Sequence, residues 1–192
     1  MKQITIAGVG ALGSHVLQFI RNFDANIKII DLDKVEQKNI KSQFHARNST
    51  GKSKTQAATQ LMQFLFNLKT DSIPHKLTND NFSQVLKGSD LIIDCFDNYE
   101  SRNIIQQYAK KNNIACLHGC LAANGEFGRV VWTEKMVIDK EANAGAATCH
   151  DGDFLPFIAT VSALIARAAQ EYLDKNIKVG YEVTPGNIWQ TK

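Results

Sequence analysis

The sequence predicts an α/β fold, a mostly parallel sheet with helices on both faces and additional antiparallel strands toward its C-terminal end. Three observations carry that expectation. Residues 3–7 form an apolar run that stops at glycines, as a buried parallel strand does. The stretch after it places Leu12, Val16, Leu17, Phe19 and Ile20 on one helical stripe. A second apolar run, 27–30, closes on Asp31. Strand, glycine turn, helix and strand within about 30 residues form one βαβ unit, so the arrangement is Rossmann-type.

The remaining elements follow in the same alternation. Residues 32–50 are polar and without clear periodicity, which predicts a long functional loop with short helical turns. A helix over about 52–68 carries Ala57, Ala58, Leu61, Met62, Leu65 and Phe66. A weaker strand near Ile73, a helix near 82–86, a strand over 90–95, a helix over 99–112 and a strand over 114–120 come next. Residues 126–133 are expected to join the sheet antiparallel. The segment 135–153, rich in Ala, Gly and charge, is the expected mobile part. The helix over 154–173 presents Leu155, Phe157, Ile158, Val161, Leu164 and Ile165 as a core stripe, broad enough to allow a dimer contact. A β-hairpin over 178–189 turns at Pro185-Gly186. Trp132 and Trp189 are read as hydrophobic anchors, and His118 as a core histidine with a partner.

Composition narrows the function classes. Hydrophobic residues make up 44% and charged residues 21%, ordinary for a soluble globular protein, and one domain over 1–192 is expected. The formal net charge of +3 is small and the basic residues are scattered, which argues against a nucleic-acid partner. No stretch reaches the ~20 apolar residues of a membrane span, so no membrane is expected and the predicted location is cytoplasmic. The four cysteines, Cys95, Cys116, Cys120 and Cys149, form no Cys-x-x-Cys pair, so no zinc is expected. Cys116 and Cys120 would share a strand face ~13 Å apart, too far for one metal or one disulfide.

The chemistry starts at Gly8-Val9-Gly10-Ala11-Leu12-Gly13, a G-x-G-x-x-G between a strand and a helix. Its glycines let the backbone approach a phosphate, and the helix N-terminus offers free N–H groups and the positive end of its dipole. Asp31 ends the next strand about twenty residues on, where an acid binds ribose hydroxyls. A purely structural glycine turn is the alternative. Taken alone, the pattern also fits a nicotinamide-dependent oxidoreductase.

The residues that follow favour another chemistry. Asp31-Leu32-Asp33-Lys34-Val35 with Asn39-Ile40 and Gln43 resembles the D-x-D-x-V…S-N-L-x-R-Q signature of the ThiF/MoeB/HesA family, prokaryotic relatives of ubiquitin-activating enzymes. Gly51-Lys52-Ser53-Lys54-Thr55-Gln56-Ala57 is similar to the family's G-x-x-K-x-x-A. Asp94-Cys95-Phe96-Asp97-Asn98 with Arg102 resembles its D-x-x-D-N-x-x-x-R. These motifs occur in order over roughly the first 130 residues.

The resemblance implies ATP and Mg2+ as cofactors. It also implies adenylation of the C-terminal glycine of a small ubiquitin-like or sulfur-carrier protein, and a homodimer or heterodimer. The tail of the partner would enter near the loop after Cys120, its body docking on the exposed side of the sheet. Adenylation brings a carboxylate to an α-phosphate, two anions, so such a site needs cations and a metal more than a covalent nucleophile. By resemblance Lys54 neutralises phosphate charge, Asp97 holds magnesium, and Asn39 and Gln43 position phosphate oxygens. Gly8, Gly10, Ala11, Leu12, Gly13, Asp31, Asp33, Lys41, Asn98 and Arg102 make up the nucleotide contacts. Each has a plain alternative: Lys54 as a solvated surface lysine, Asp97-Asn98 as a helix N-cap.

The likeness breaks at Ser42, which stands where the family carries a phosphate-binding arginine. A serine supplies no cation and no bidentate fork. Lys41, Arg47 or an arginine from a second subunit are the candidate replacements. Cys149, in Ala147-Thr148-Cys149-His150-Asp151, lies roughly where some relatives keep an acyl-accepting cysteine, and His150 or the nearby helix N-terminus would favour its thiolate. The alternative is a spectator thiol. Besides the ubiquitin-like substrate, a peptide or modified RNA base bearing a carboxylate stays open. So does a non-catalytic subunit that only holds nucleotide.

Overall fold

The computed structural model describes residues 1–138, 152 and 154–191. Among these, eight strands join in one sheet of order β3-β2-β1-β4-β5-β6-β7-β8. The strands are β1 (Lys2–Ala7), β2 (Ala25–Ile30), β3 (Asp71–Ile73), β4 (Leu91–Asp94), β5 (Ala115–Leu121), β6 (Gly128–Trp132), β7 (Gly180–Thr184) and β8 (Asn187–Thr191). From β3 to β5 all pairings are parallel, and from β5 to β8 all are antiparallel. The helices are α1 (Ala11–Phe19), α2 (Lys54–Phe66), α3 (Phe82–Val85), α4 (Tyr99–Asn112) and α5 (Leu155–Lys175).

Strand alternation assigns the two faces. Ile4 and Ile6 of β1, Leu91 and Ile93 of β4 and Leu117 of β5 pack with Leu12, Val16 and Leu17 of α1 and Ile158, Val161 and Ile165 of α5. The intervening positions, Ala7, Ile92 and Cys116, pack with Ile104, Ile105, Tyr108 and Ala109 of α4. Helix α5 lies directly on sheet backbone. A Cβ at Gly119 would fall 2.4 Å from Ile165 and one at Gly128 would fall 2.5 Å from Val161. Helices α2, α4 and α5 each stop at an asparagine in the left-handed region, Asn67, Asn113 and Asn176, a conformation that asparagine tolerates better than branched residues.

The expected architecture is the one observed, including the turns within 32–50, where short 3-10 segments cover Gln37–Lys41 and Arg47–Ser49. Two details differ. Helix α2 buries Ala57, Ala58 and Met62, but Leu65 and Phe66 lie outside the core, where the Arg21 guanidinium stacks 4.7 Å from the Phe66 ring. Trp132 is buried and donates its indole N–H to the Val179 carbonyl at 2.8 Å, as an anchor should. Trp189 is half exposed instead, because β8 is the edge strand of the sheet among the described residues. Most of the segment expected to be mobile, 139–151 and 153, lies outside the described residues, and Cys149 and His150 with it.

The crossing of β1 into α1 sets a firm steric limit. A methyl group at Gly13 would lie 1.8 Å from the Gly8 carbonyl oxygen, backbone against backbone, whereas one at Gly10 meets nothing within 4 Å. Gly13→Ala is therefore expected to cost about 3 kcal/mol or more in urea unfolding, and Gly10→Ala a small fraction of that.

Candidate nucleotide site

The glycine loop leaves β1 through Gly8, whose φ of +91° suits glycine and whose N–H donates to Ile30 at 2.8 Å. Gly10 is the N-cap of α1 and supplies no side-chain cap, and the first turn holds no acidic residue. The first turn, Ala11, Leu12 and Gly13, therefore presents a helix N-terminus without a capping side chain, which suits an anion. Gly10 has open space above it.

Asp31 stands beside this loop, 5% exposed. One carboxylate oxygen accepts the Val9 N–H at 2.7 Å and the other accepts the Asp33 N–H at 2.8 Å. Burial pushes its carboxyl upward, while Lys54 and the two N–H donors pull it back. Lys54 opens α2 at only 7% exposure, so it is not a solvated surface lysine. Its ammonium lies 2.9 Å from Asp33 Oδ2. Burial opposes the Lys54 charge, but Asp31, Asp33 and Asp97 outweigh it and raise its pKa. Fold topology thus brings Asp31 and Asp33 after β2 and the exposed Asp97 after β4 around Lys54 of α2, at the carboxyl ends of parallel strands, where sheets of this kind form their crevice.

The other residues singled out by sequence sit nearby in different states. Asn39 is buried in a capping box, its Oδ1 accepting the Glu36 N–H at 2.9 Å. Gln43 is buried, its N–H donating to the Asn39 carbonyl at 2.8 Å. Lys41 is exposed. Asn98 caps α4 by accepting the Ser101 N–H at 2.9 Å, the plain alternative named for it.

Arg102 turns into the protein rather than outward. It donates to the Gly119 carbonyl at 2.7 Å and to Cys120 Sγ at 3.2 Å, and approaches Asp94 Oδ2 at 3.7 Å. Asp94 is fully buried and accepts from His118 Nδ1 at 2.7 Å, while His118 Nε2 meets Thr133 Oγ1 at 2.6 Å. Burial opposes the Asp94 charge, but Arg102 and His118 outweigh it and hold the carboxyl below the ordinary range. Burial likewise opposes a proton on His118, and Cys116 and Asp94 overcome it, raising the imidazole to about 10. His118 is thus a core histidine with partners, as its apolar strand implied.

Sequence reasoning missed His15 and His45. His15 Nε2 lies 3.0 Å from the Ser42 carbonyl and His45 Nε2 lies 3.0 Å from the Val9 carbonyl. Burial lowers both imidazoles, His45 to about 4, with Lys54 and His15 adding to the effect on His45. No local pattern marks them, because their partners stand 27 and 36 residues away. Among the described residues no three His, Cys, Asp or Glu side chains gather as a metal cage, and no helix is long and apolar enough to cross a membrane.

With this geometry in view, comparisons with known proteins point one way. A family model described as the ThiF family matches residues 1–190. The SAMP-activating enzyme E1 of Haloferax volcanii is 23% identical over 122 residues, covering 62% of this chain and 45% of that enzyme. E. coli MccB, solved with ATP, superimposes with a TM-score of 0.77 at 16% identity, covering 99% of this chain and 62% of MccB. E. coli tRNA N6-threonylcarbamoyladenosine dehydratase, TcdA, superimposes with a TM-score of 0.71 at 16% identity, covering 91% and 87%. At that identity the structures share the fold. The chain spans less than half the length of the curated relatives it matches.

Of the three perturbed histidines, His118 bends the stability profile one way and His15 and His45 bend it the other. His118 has a raised folded pKa, so its contribution is complete below its unfolded value near 6.5 and fades as pH rises through about 10. His45 has a depressed folded pKa, so stability falls as pH drops from about 6.5 toward 4. Thermal melts from pH 4 to 10 should therefore fall at both ends. His118→Gln should flatten the alkaline limb and His45→Gln the acidic one, each by several degrees relative to the wild-type slope.

Proposed function

The chain belongs to the ThiF family, and from that premise we propose that it binds ATP with magnesium across the glycine loop and transfers AMP to a carboxylate. The observation that carries the reading is the helix N-terminus without a capping side chain, beside the crevice where Lys54 meets Asp31, Asp33 and Asp97. The residues fit both groups. Gly10 leaves room for a phosphate against backbone N–H donors. Asp97 is exposed, and one carboxylate with waters and phosphate oxygens suffices for magnesium, which rarely needs an all-protein cage.

Bound magnesium would neutralise phosphate charge. The chain's own residues do the rest. The α1 N-terminus and the glycine loop hold the phosphates, with Lys54 facing them. Asn39, Gln43 and Lys41 lie along the segment that follows Asp33, and Asn98 and Arg102 support the far wall. The incoming carboxylate oxygen bonds to the α-phosphorus, the bond from that phosphorus to the bridging oxygen breaks, and pyrophosphate leaves with the electron pair. The substrate class is the C-terminal carboxylate of a small ubiquitin-like or sulfur-carrier protein ending in glycine. Relatives whose names include SAMP-activating enzyme and sulfur carrier protein adenylyltransferase support it. A later transfer to Cys149, a dimeric state, a cytoplasmic location and one domain over 1–192 belong to the same proposal. The single family match over 1–190 supports the last.

One observation favours a second reading. Ser42 is only 1% exposed and its carbonyl is engaged by His15. A position so buried offers nothing to a phosphate, as expected of a subunit that holds nucleotide while another chain completes the chemistry.

Thermal unfolding with Mg-ATP, NAD and no ligand separates the readings. A ligand at ~100 times its dissociation constant adds ~2.7 kcal/mol, or roughly 5–11 °C at this size. The expected result is a shift with Mg-ATP that shrinks in Asp97→Asn and Lys54→Ala, together with pyrophosphate exchange once a glycine-ended carrier protein is present. A shift with NAD alone overturns the proposal. Mg-ATP binding without exchange for any carboxylate supports the nucleotide-holding subunit.

A further inference from the structure

Two buried imidazoles and one hydroxyl lace the segment 42–45 onto the start of α1. His15 Nε2 reaches the Ser42 carbonyl at 3.0 Å, the Phe44 N–H donates to Ser14 Oγ at 2.9 Å, and His45 Nε2 reaches the Val9 carbonyl at 3.0 Å. The last contact falls within the glycine loop itself. Asp31 already holds the Val9 N–H at 2.7 Å. The two peptides flanking the Val9 Cα are therefore both tied, one through its N–H and the next through its C=O.

A carbonyl only accepts, so His45 must carry its proton on Nε2. Its Nδ1 is then a bare lone pair, buried and without a hydrogen-bond partner among the described residues. An apolar side chain would fill the same volume without burying a bare nitrogen. What the imidazole adds is the bond to Val9. That bond has a directional consequence, because the peptide joining Val9 to Gly10 is planar and trans. With its C=O held toward His45, the Gly10 N–H points the opposite way.

We propose that His45 is a positioning residue of the nucleotide site, holding the Val9 carbonyl so that the Gly10 N–H is turned toward the incoming phosphate. The proposal rests on the ATP-binding reading above and deepens it. It assigns a role to a residue outside the motifs that identify the family resemblance. Burial, with Lys54 and His15 nearby, keeps the ring neutral at physiological pH. Asp31, Asp33 and Asp97 are the acids of the same crevice, and the His45 ring bonds to the Val9 carbonyl rather than to any of them. The donor therefore stays in place without a charge of its own.

The test compares His45→Gln, whose amide retains an N–H donor of similar reach, with His45→Leu, which has none. Mg-ATP affinity by calorimetry and amide hydrogen exchange in the ligand-free protein at Val9, whose N–H Asp31 holds at 2.7 Å, are the two readouts. His45→Leu should weaken Mg-ATP binding at least tenfold and speed Val9 exchange, and His45→Gln should restore both to within about threefold of wild type. Unchanged Val9 exchange and Mg-ATP affinity in His45→Leu overturn the proposal, as does equal loss in both variants. Should His45→Leu not fold, nitrogen-15 NMR of the wild-type ring decides. A proton on Nε2 with Nδ1 bare supports the clamp, and a proton on Nδ1 alone overturns it. Wild-type protein that fails to bind Mg-ATP sinks the adenylation reading, while Val9 exchange still reports separately whether His45 holds the loop.

Discussion

The Asp31 carboxylate is the constraint from which the crevice takes its shape. It follows directly after β2, yet its two oxygens reach back to Val9 and forward to Asp33. One side chain therefore fixes both the glycine loop and the start of the segment leading to α2. Burial to 5% exposure pushes the carboxyl upward, and only donors and a nearby cation pull it back. The two N–H groups and Lys54 supply them. Lys54 is drawn in by the same requirement, since its own burial is offset by Asp31, Asp33 and Asp97. The cation expected to face phosphate is thus held in place by the acids around it.

A second buried charge cluster underlies the other wall. Asp94 is the last residue of β4, much as Asp31 directly follows β2, and the parallel register sets His118 of β5 directly beside it. Arg102 comes from α4 and ties Asp94 to the Gly119 backbone. Removing one partner of such a cluster leaves an uncompensated charge in the core, which is why these residues act as a unit. Arg102 and Asp94 belong to one sequence motif, yet the geometry gives them an internal role: they brace the strand ends from which Asp97 and the β5–β6 turn emerge.

Much of the fold could be read directly from the chain, because its causes are local. Alternation in 3–7 and 27–30, the glycine turn between them and the helical stripe of 154–173 depend on neighbours a few residues apart. The ordered motifs also pick out Asp31, Asp33, Lys54 and Asp97, four residues that the fold brings together. Where the structure departs from the sequence pattern, the difference is one of exposure. Leu65 and Phe66 at the end of the α2 stripe fall outside the core, and Trp189 lies half exposed on the edge strand. Both departures depend on what the topology lays over a residue, and a residue's type does not report that.

The sequence alone determined the order of strands and helices, the glycine loop and the list of residues that carry the family resemblance, since periodicity, turn chemistry and motif spacing are properties of contiguous chain. Tertiary structure alone decided which of those residues face the crevice and which turn inward. It closed the Asp94–His118–Arg102 cluster, gave Asn98 to a helix cap, and brought His45 across 36 residues to the Val9 carbonyl. The physical reason is that burial and hydrogen-bond partnership arise from pairing strands far apart in the chain. In this protein the parallel register supplies that pairing.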